Sequence, residues 1–594
     1  MPLPFPKASF LLGLALALLL LPSAPCHAQD SSACLQRADA DYRDGAAAVS
    51  RNDLKQARDD FENVVRLAPS LELGHSALGA VLVRMGDTNA GVRELEKALA
   101  MQADDASALQ NLALALEQNG QPAKALPWFS RLDATYRADN RALPAAVLAP
   151  WARALAATRQ FDQALMKMRQ AIAEAPKNAQ FEDDLGSIYA QQADWKDAQR
   201  AFSSALVLDP DLATAHLHLG IALETEHQPG AVGELQTAYR LAPRNTEIAM
   251  ALAQVLMAMG DDRNVIPVLQ HVLELHPAST AAMYQLGLAL QRTNRVKDAI
   301  PLFEKAEAAE PGNAEILDNL GMALCQLQQS KDALPVLQKA VAMAPKNPTV
   351  HENLAAAFIQ LSRLDDAIAQ LRAAISLAPD RSQLHYDLAL ALKMKDDAAE
   401  AIPEFETAEK MDPSAPEAPY ALGMLYLQAG RYADAEREMN VSLRLRPANG
   451  DGWATLGSVY NHLDKLPEAA SALQEAIRQR PDQPDSYLLL AAVLVKLNQP
   501  AQAAQERKKA ADLMRLNMNR QRAEVSTNSG NDLMKNGKLD DAAVEFRDAI
   551  SYDPNYAEAH LGLANALQQL GSSAEAAAER QKAAALEKSL ANKP

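Results

Sequence analysis

Gly450 to Pro481 reads GDGWATLGSVYNHLDKLPEAASALQEAIRQRP, and the spacing of this stretch decides the fold. Trp453, Leu456 and Tyr460 stand three and four residues apart, which places them on one face of a helix. Gly457 beside Leu456 carries no side chain, so a partner helix can approach closely. Ala469, Leu473 and Ala476 make a second, narrower apolar stripe. Pro481 has no amide hydrogen and restricts the residue before it, so it closes the second helix. The stretch predicts a helical hairpin.

Pro243, Pro277, Pro311, Pro345, Pro379, Pro413, Pro447 and Pro481 are separated by seven intervals of 34 residues. Numbered 1 to 34 from Gly450, positions 4, 7 and 11 recur as apolar, and position 8 is Gly or Ala, as at Gly186, Gly220, Gly287, Gly321, Gly423 and Gly457. Positions 20 and 27 are mostly Ala, as at Ala299 and Ala306, with a larger residue such as Phe303 at position 24 between them. One such hairpin leaves its apolar faces in water, so neighbours must stack into a solenoid.

Trp453-x2-Leu456-Gly457-x2-Tyr460, followed by Ala469, Leu473, Ala476 and Pro481, resembles the tetratricopeptide repeat in residue types and spacing. The resemblance implies an all-α, right-handed superhelix of about 16 helix-turn-helix repeats. In register, repeats start at Ala38, Glu72, Ala106, Ala145, Ala179, Ala213, Thr246, Thr280, Ala314, Pro348, Ser382, Pro416, Gly450, Pro484, Ala523 and Ala557. The likeness covers nearly all the chain beyond its leader and leaves no room within it for a separate catalytic domain. Insertions at Asn140 to Pro144 and Met518 to Arg522 divide the array into three, eleven and two repeats. Ala503 to Arg515 echoes Ala576 to Lys588, with Arg507 and Arg580 in place of the apolar residue at position 24. A charged outer face suits a terminal cap. The expected organisation is a signal peptide at 1–28, a short leader at 29–37, repeats 1 to 14 over 38–517, a linker at 518–522 inside a long helix from about Ala501 to Ser526, repeats 15 and 16 over 523–590, and a tail at 591–594.

The signal peptide rests on Lys7, the apolar run Ala8 to Leu21, Pro22 and the small-residue exit at Cys26-His27-Ala28. Fourteen apolar residues fall short of the roughly 20 that span a bilayer, and no later run is longer. The chain is therefore expected to be exported, periplasmic or extracellular, with no transmembrane segment after cleavage. Of three cysteines, Cys34 and Cys325 would remain. Cys34 reads as an idle thiol, with a pair between chains as the alternative, and Cys325 as a small residue of core or groove.

Net charge −17 over 594 residues excludes nucleic acid as a partner. No phosphate loop, nucleophile elbow, Cys-x-x-Cys pair or calcium loop is present, and no cofactor or metal is expected. His216 and His218 are two apart, about 200° around a helix, and cannot grip one metal. These histidines, with His271 and His276, read as surface or packing residues. The basic run Arg507, Lys508, Lys509, Arg515, Arg520 and Arg522 reads as a solvated linker helix, since Glu506, Asp512 and Glu524 are interspersed.

In the tetratricopeptide family the first helices line the concave face, and positions 2, 5, 6, 9, 12 and 13 point into it. Carried onto repeats 7 to 12, this resemblance assigns a groove to Met250, Met257, Tyr284, Leu288, Met322, Ile359, Tyr386, Leu390, Met394, Tyr420, Met424 and Leu427. Methionine adapts to irregular surfaces and tyrosine adds area with a polar tip, so the stripe suits an amphipathic helix or an extended peptide. The alternative is that these residues only pad the superhelix. Position 6 carries Asn111, Asp184, Gln285, Asn319, Asn353, Asp387 and Asn528, and the run Asn319, Asn353, Asp387 resembles the asparagine ladder of O-GlcNAc transferase repeat domains, which Ala251 and Ala421 interrupt here. Such a ladder implies capture of a peptide backbone. The basic clamp of chaperone-binding relatives is replaced by residues such as Glu315, Asp318 and Glu352, so capture of a C-terminal carboxylate is not expected. The expected function is a non-catalytic protein-interaction scaffold of the bacterial envelope. Its partners are other proteins or peptides, with an envelope complex as one setting. The alternative is a repeat component of a polysaccharide or outer-membrane export complex, and an enzyme ranks third.

Overall fold

In the computed structural model each 34-residue period becomes two helices joined by a three-residue turn, as in Ala314–Gln326 followed by Ser330–Met343. Residues 32–591 are described, and among them the structure is all α-helix, with thirty-one helices and no strand. The signal peptide and the last residues of the tail lie outside the described residues. Contacts divide the chain into two compact parts, Met1–Glu310 and Pro311–Pro594.

The turn has one recurring geometry. Position 15 is left-handed whether or not it is glycine: φ is 62° at Gln328, 57° at Ser362, 66° at Asp396 and 71° at Gly430. The amide that follows then bonds back to position 11, Arg363 N–H to the Phe358 carbonyl at 2.9 Å and Arg431 N–H to that of Tyr426 at 2.8 Å. This ties off carbonyls that the ending helix leaves open. Asparagine at position 34 caps the next first helix. The Asn313 side chain accepts from the Glu315 and Ile316 amides, and that of Asn347 from the Thr349 amide.

Packing follows the sequence logic. A Cβ added at Gly321 would lie 2.4 Å from Cγ of Leu337, so position 8 must stay bare for position 24 to enter. Phe303, with Ala299 and Ala306 on either side, is fully buried in the N-terminal part, and Phe405 and Leu337 are their counterparts in the C-terminal part.

At several repeats position 4 adds a polar role to the expected apolar one. The Nε2–H of His351 donates to the Pro345 carbonyl at 3.1 Å, that of His385 to Pro379 at 3.3 Å, and that of His560 to Pro554 at 2.9 Å. In the same place Trp453 Nε1–H donates to Pro447 at 2.9 Å and the Tyr487 hydroxyl to Pro481 at 3.0 Å. The N-terminal part repeats this with His75 on Pro69 and His216 on Pro210. The proline carbonyl lies just past the helix end and has no helical donor, so position 4 of the next repeat satisfies it. The other ring nitrogen faces the second helix of its own repeat: His385 Nδ1 lies 2.6 Å from Glu404 and His351 Nδ1 2.7 Å from Gln370. A polar clasp thus joins each of these repeats to the one before it, whereas repeats with Leu109, Leu148 or Leu317 at position 4 keep the expected apolar residue.

One further feature differs from expectation and one extends it. Cys34 is buried and disulfide-bonded rather than an idle thiol. The long helix expected from about Ala501 to Ser526 is present and runs further, joining the second helix of repeat 14 to the first of repeat 15 as one helix, Pro500–Lys535, of 36 residues. Three side chains of its basic run are paired, Lys509 with Glu506 at 2.9 Å, Arg515 with Asp512 at 3.0 Å and Arg520 with Asp553 at 2.9 Å.

Within each part several successive first helices touch one another, as Ala314–Gln326 does Pro348–Gln360 and Glu417–Gln428 does Gly450–His462. Among the described residues no successive second helices make comparable contact. Crowding on one side and splaying on the other makes the first-helix face the inner one.

Candidate functional site

In the C-terminal part the groove residues of repeats 9 to 12 share this inner face. Asn319 and Met322 lie on Ala314–Gln326, Asn353 and Ile359 on Pro348–Gln360, Tyr386, Asp387, Leu390 and Met394 on Ser382–Met394, and Tyr420, Met424 and Leu427 on Glu417–Gln428. All are half-buried except Met394, which is 56% exposed. Partial burial of large apolar side chains is what a groove wall requires. The Tyr386 ring lies against Phe405, centroids 5.5 Å apart, so its position is fixed from beneath.

The remaining members belong to the N-terminal part. Met250 and Met257 lie on Thr246–Ala258, and Tyr284 and Leu288 on Thr280–Arg292, all half-buried. Met250 borders an open cleft of about 630 Å³ with Glu247, Val272, Leu275 and His276.

The asparagine ladder is partly committed to bonds within the chain. Asn319 donates to the Glu315 carbonyl of its own helix at 2.9 Å, and Asn353 to the Asp318 carboxylate of the preceding repeat at 2.8 Å. One amide hydrogen of each is therefore committed within the chain. Asn111 is fully buried and faces no groove. Asp184 is held by Arg153 at 2.9 Å and Gln180 at 3.2 Å, Gln285 is half-buried, and Asn528 is exposed on the long helix.

Two polar constellations on the inner faces were not assembled from the sequence. In the N-terminal part Arg153 bonds both Glu117 at 3.0 Å and Asp184 at 2.9 Å, on the floor of a cleft of about 340 Å³. Beside them His218 Nδ1 lies 2.8 Å from Asp183. Burial alone would lower the His218 ring, but the hydrogen bond to Asp183 outweighs it, with help from the charges of Asp183, Glu247 and Asp184, and raises it above the usual histidine range. Offsets of 36, 31 and 35 residues, near one repeat length, were the available signal.

In the C-terminal part Glu315, Asp318, Glu352 and Asp387 form an acidic lane beside the apolar wall. Asp318 is 9% exposed; Oδ2 accepts from Asn353, whereas Oδ1 has no hydrogen-bond partner among the described residues. Burial raises the Asp318 carboxyl against the Asn353 hydrogen bond, with Glu352 and Glu315 adding to the rise. Burial pushes Asp387 up to about 6, opposed by a 2.8 Å hydrogen bond from Gln383 and reinforced by Glu352. The cation in the lane is Arg381, 2.6 Å from Glu352.

Among the described residues no cluster of three or more His, Cys, Asp or Glu is placed to hold a metal ion, and no helix is long and apolar enough to cross a membrane. The family model described as tetratricopeptide repeat matches residues 76–140, 184–245, 250–314, 319–382, 386–450 and 456–513, and a second, described as TPR repeat, matches 530–571. The chain belongs to the tetratricopeptide repeat family. Such repeats mediate protein–protein interaction and their scaffolds are generally non-enzymatic. A relative named cellulose synthase operon protein C, from Xanthomonas axonopodis pv. citri, is 33% identical over 195 residues, 32% of this tetratricopeptide repeat chain and 12% of that protein. Among solved structures, the Cut9–Hcn1 heterotetramer of APC/C matches at 16% identity and TM-score 0.38, covering 78% of this chain and 98% of that one. Yeast Tom70 matches at 20% identity and TM-score 0.32, covering 75% and 98%.

Proposed function

We propose that this tetratricopeptide repeat chain is a non-catalytic scaffold of the bacterial envelope that receives a peptide or helical segment of another protein on its inner face. The observation that carries this reading is the row of half-buried Met, Leu, Ile and Tyr side chains on repeats 9 to 12. These apolar surfaces are packed from beneath and wet above, which is the condition of a pocket before its ligand arrives. Repeats 1 to 14 form the scaffold in this reading, and repeats 15 and 16 an appendage beyond the long helix.

A photo-crosslinking amino acid placed at Leu390 or Met424 tests the groove in the native organism. Crosslinks to a partner from these positions, lost when Tyr386→Ala removes the tyrosine anchor, support it. Crosslinks arising instead from second-helix positions such as Met343 overturn it in favour of the outer face.

The second reading is a repeat component of a polysaccharide-associated export or assembly complex. It is favoured by the 33% identity to a protein whose name places it in a cellulose synthase operon. Export itself rests on the leader-like residues 1–28, and a mature N-terminus near Gln29 in the envelope fraction supports it. Binding of the purified chain to a glycan array, with no peptide crosslink from the groove, favours the polysaccharide role.

A further inference from the structure

Equivalent positions of successive repeats differ sharply in how their carboxylates are satisfied. On repeats 12 and 13 each position-2 acid has its own arginine: Glu417 pairs with Arg446, and Asp451 with Arg480 at 2.6 Å. Asp183 and Asp184 of repeat 5 are likewise met by His218, Gln180 and Arg153. On repeats 9 to 11 Arg381 is bonded to Glu352 and Asp387 accepts only from Gln383, while Asp318 keeps a buried oxygen without a donor among the described residues. An unmade hydrogen bond to a buried carboxylate oxygen is costly, and an incoming cation regains that cost as binding energy.

The lane runs along the stack, and Met322, Ile359, Leu390 and Met424 run parallel to it on the opposite side of the same inner face. Positions 2, 5 and 6 lie in the first half of each first helix and positions 9, 12 and 13 in the second, so the acidic and apolar walls stay on their own sides from repeat to repeat. We infer that the inner face of repeats 9 to 11 takes a basic amphipathic helix of a partner protein, with Asp318 as the first acceptor of a lysine or arginine and the aliphatic wall receiving the helix's apolar side. This deepens the groove reading and depends on it.

Spacing sharpens the partner's chemistry. Neighbouring first helices lie about 10 Å apart. A partner helix rises about 1.5 Å per residue, so one cation per roughly seven residues meets successive carboxylates. Cations at heptad spacing, flanked by apolar residues three and four apart, define the ligand.

The test uses the purified full chain and synthetic helical peptides of about 21 residues, built as three heptads. Each heptad carries two leucines and one flanking residue that is Lys, Gln or Glu, and binding is read by fluorescence anisotropy. The Lys peptide should bind at least about tenfold more tightly than the Glu peptide. Asp318→Asn should reduce Lys-peptide affinity about tenfold, the removal of one charge-assisted hydrogen bond, with a melting temperature no lower than that of the parent chain. Asp104→Asn, an exposed acid elsewhere, should leave affinity unchanged, which separates the lane from the general pull of a chain at net charge −17. Equal losses in the two variants, or equal binding of the Lys and Glu peptides, overturn the inference. If the Gln peptide binds, loses binding on Tyr386→Ala and is matched by the Lys peptide, the groove stands and the acidic lane does not. If no peptide responds to Tyr386→Ala, the groove reading itself falls.

Discussion

The inner faces of the two parts of this chain carry charge in opposite ways. In the N-terminal part the floor is closed: Arg153 sits between Glu117 and Asp184, and His218 on Asp183, so each charge meets an opposite one within the chain. In the C-terminal part the lane is open: Asp318, Glu352 and Asp387 outnumber Arg381, and one buried oxygen of Asp318 is unsatisfied. The scaffold beneath is the same hairpin. A polar residue on a repeat surface therefore says little by itself, and whether the adjacent repeats complete its bonds decides if it holds the stack together or waits for a partner.

The largest effect should come from breaking the closed floor. Arg153→Leu strands Glu117 and Asp184, whose side chains are only 12% and 11% exposed. Removing one partner of a buried ion pair costs about 3 to 5 kcal/mol, and the 41% exposure of Arg153 places this case at about 3 kcal/mol or somewhat less. Hydrogen exchange should rise across repeats 3 to 5 and stay unchanged beyond Pro311, because contacts in such arrays are between neighbours. Equal loosening of repeats 9 to 11 would erase the distinction between the two faces.

A smaller effect concerns pH in the open lane. Asp387 titrates near 6 in the folded chain because burial disfavours its charge, against 3.8 as its ordinary value, with Glu352 raising it and Gln383 and Arg381 opposing. A raised folded value means that the protonated form is favoured by folding. Its contribution is fully present below 3.8 and is lost as pH rises through about 6. Asp387→Asn should therefore stabilise the chain above pH 6, by on the order of 2 kcal/mol after allowing for the water that reaches a half-buried side chain, and change nothing at pH 4. Binding runs the other way. The lane gains charge as Asp387 ionises, so affinity for the Lys peptide should rise between pH 5 and pH 7 in the parent chain and stay flatter in the variant.

Much of the fold was legible because one physical requirement repeats every 34 residues. Pro at position 32 ends a helix, Gly321 or Gly457 at position 8 admits its neighbour, and Phe303 or Leu337 at position 24 fills the space. The clasp was harder to see. His75, His216, His351, His385 and His560 all stand at position 4, but the requirement they meet, a proline carbonyl without a helical donor, appears only once the preceding helix has ended in three dimensions. The groove's apolar residues follow from helical periodicity and the family's register. The fate of its polar residues does not, since Asn353 spends an amide hydrogen on Asp318 and Arg153 finds Glu117 and Asp184 across repeat boundaries. Such choices depend on which side chains adjoining helices bring within about 3 Å, a distance that residue type and spacing leave open.

The smallest expected effect is also the most discriminating. Arg381 lies 2.6 Å from Glu352 and is half-buried in the lane, so it competes with any incoming cation for the same carboxylate. Arg381→Gln removes that competitor while keeping a side chain able to donate to Glu352. If the lane is a cation site, the Lys peptide should bind about threefold more tightly, since a partly exposed charge contributes under about 1 kcal/mol. In the closed floor the corresponding change has the opposite sign for the molecule: losing Arg153 exposes carboxylates that the stack itself needs neutralised. Should Arg381→Gln instead weaken the fold as Arg153→Leu does, the arginine is a structural clamp and the lane is a second closed floor. An affinity gain with an unaltered melting curve assigns the excess negative charge of repeats 9 to 11 to a partner.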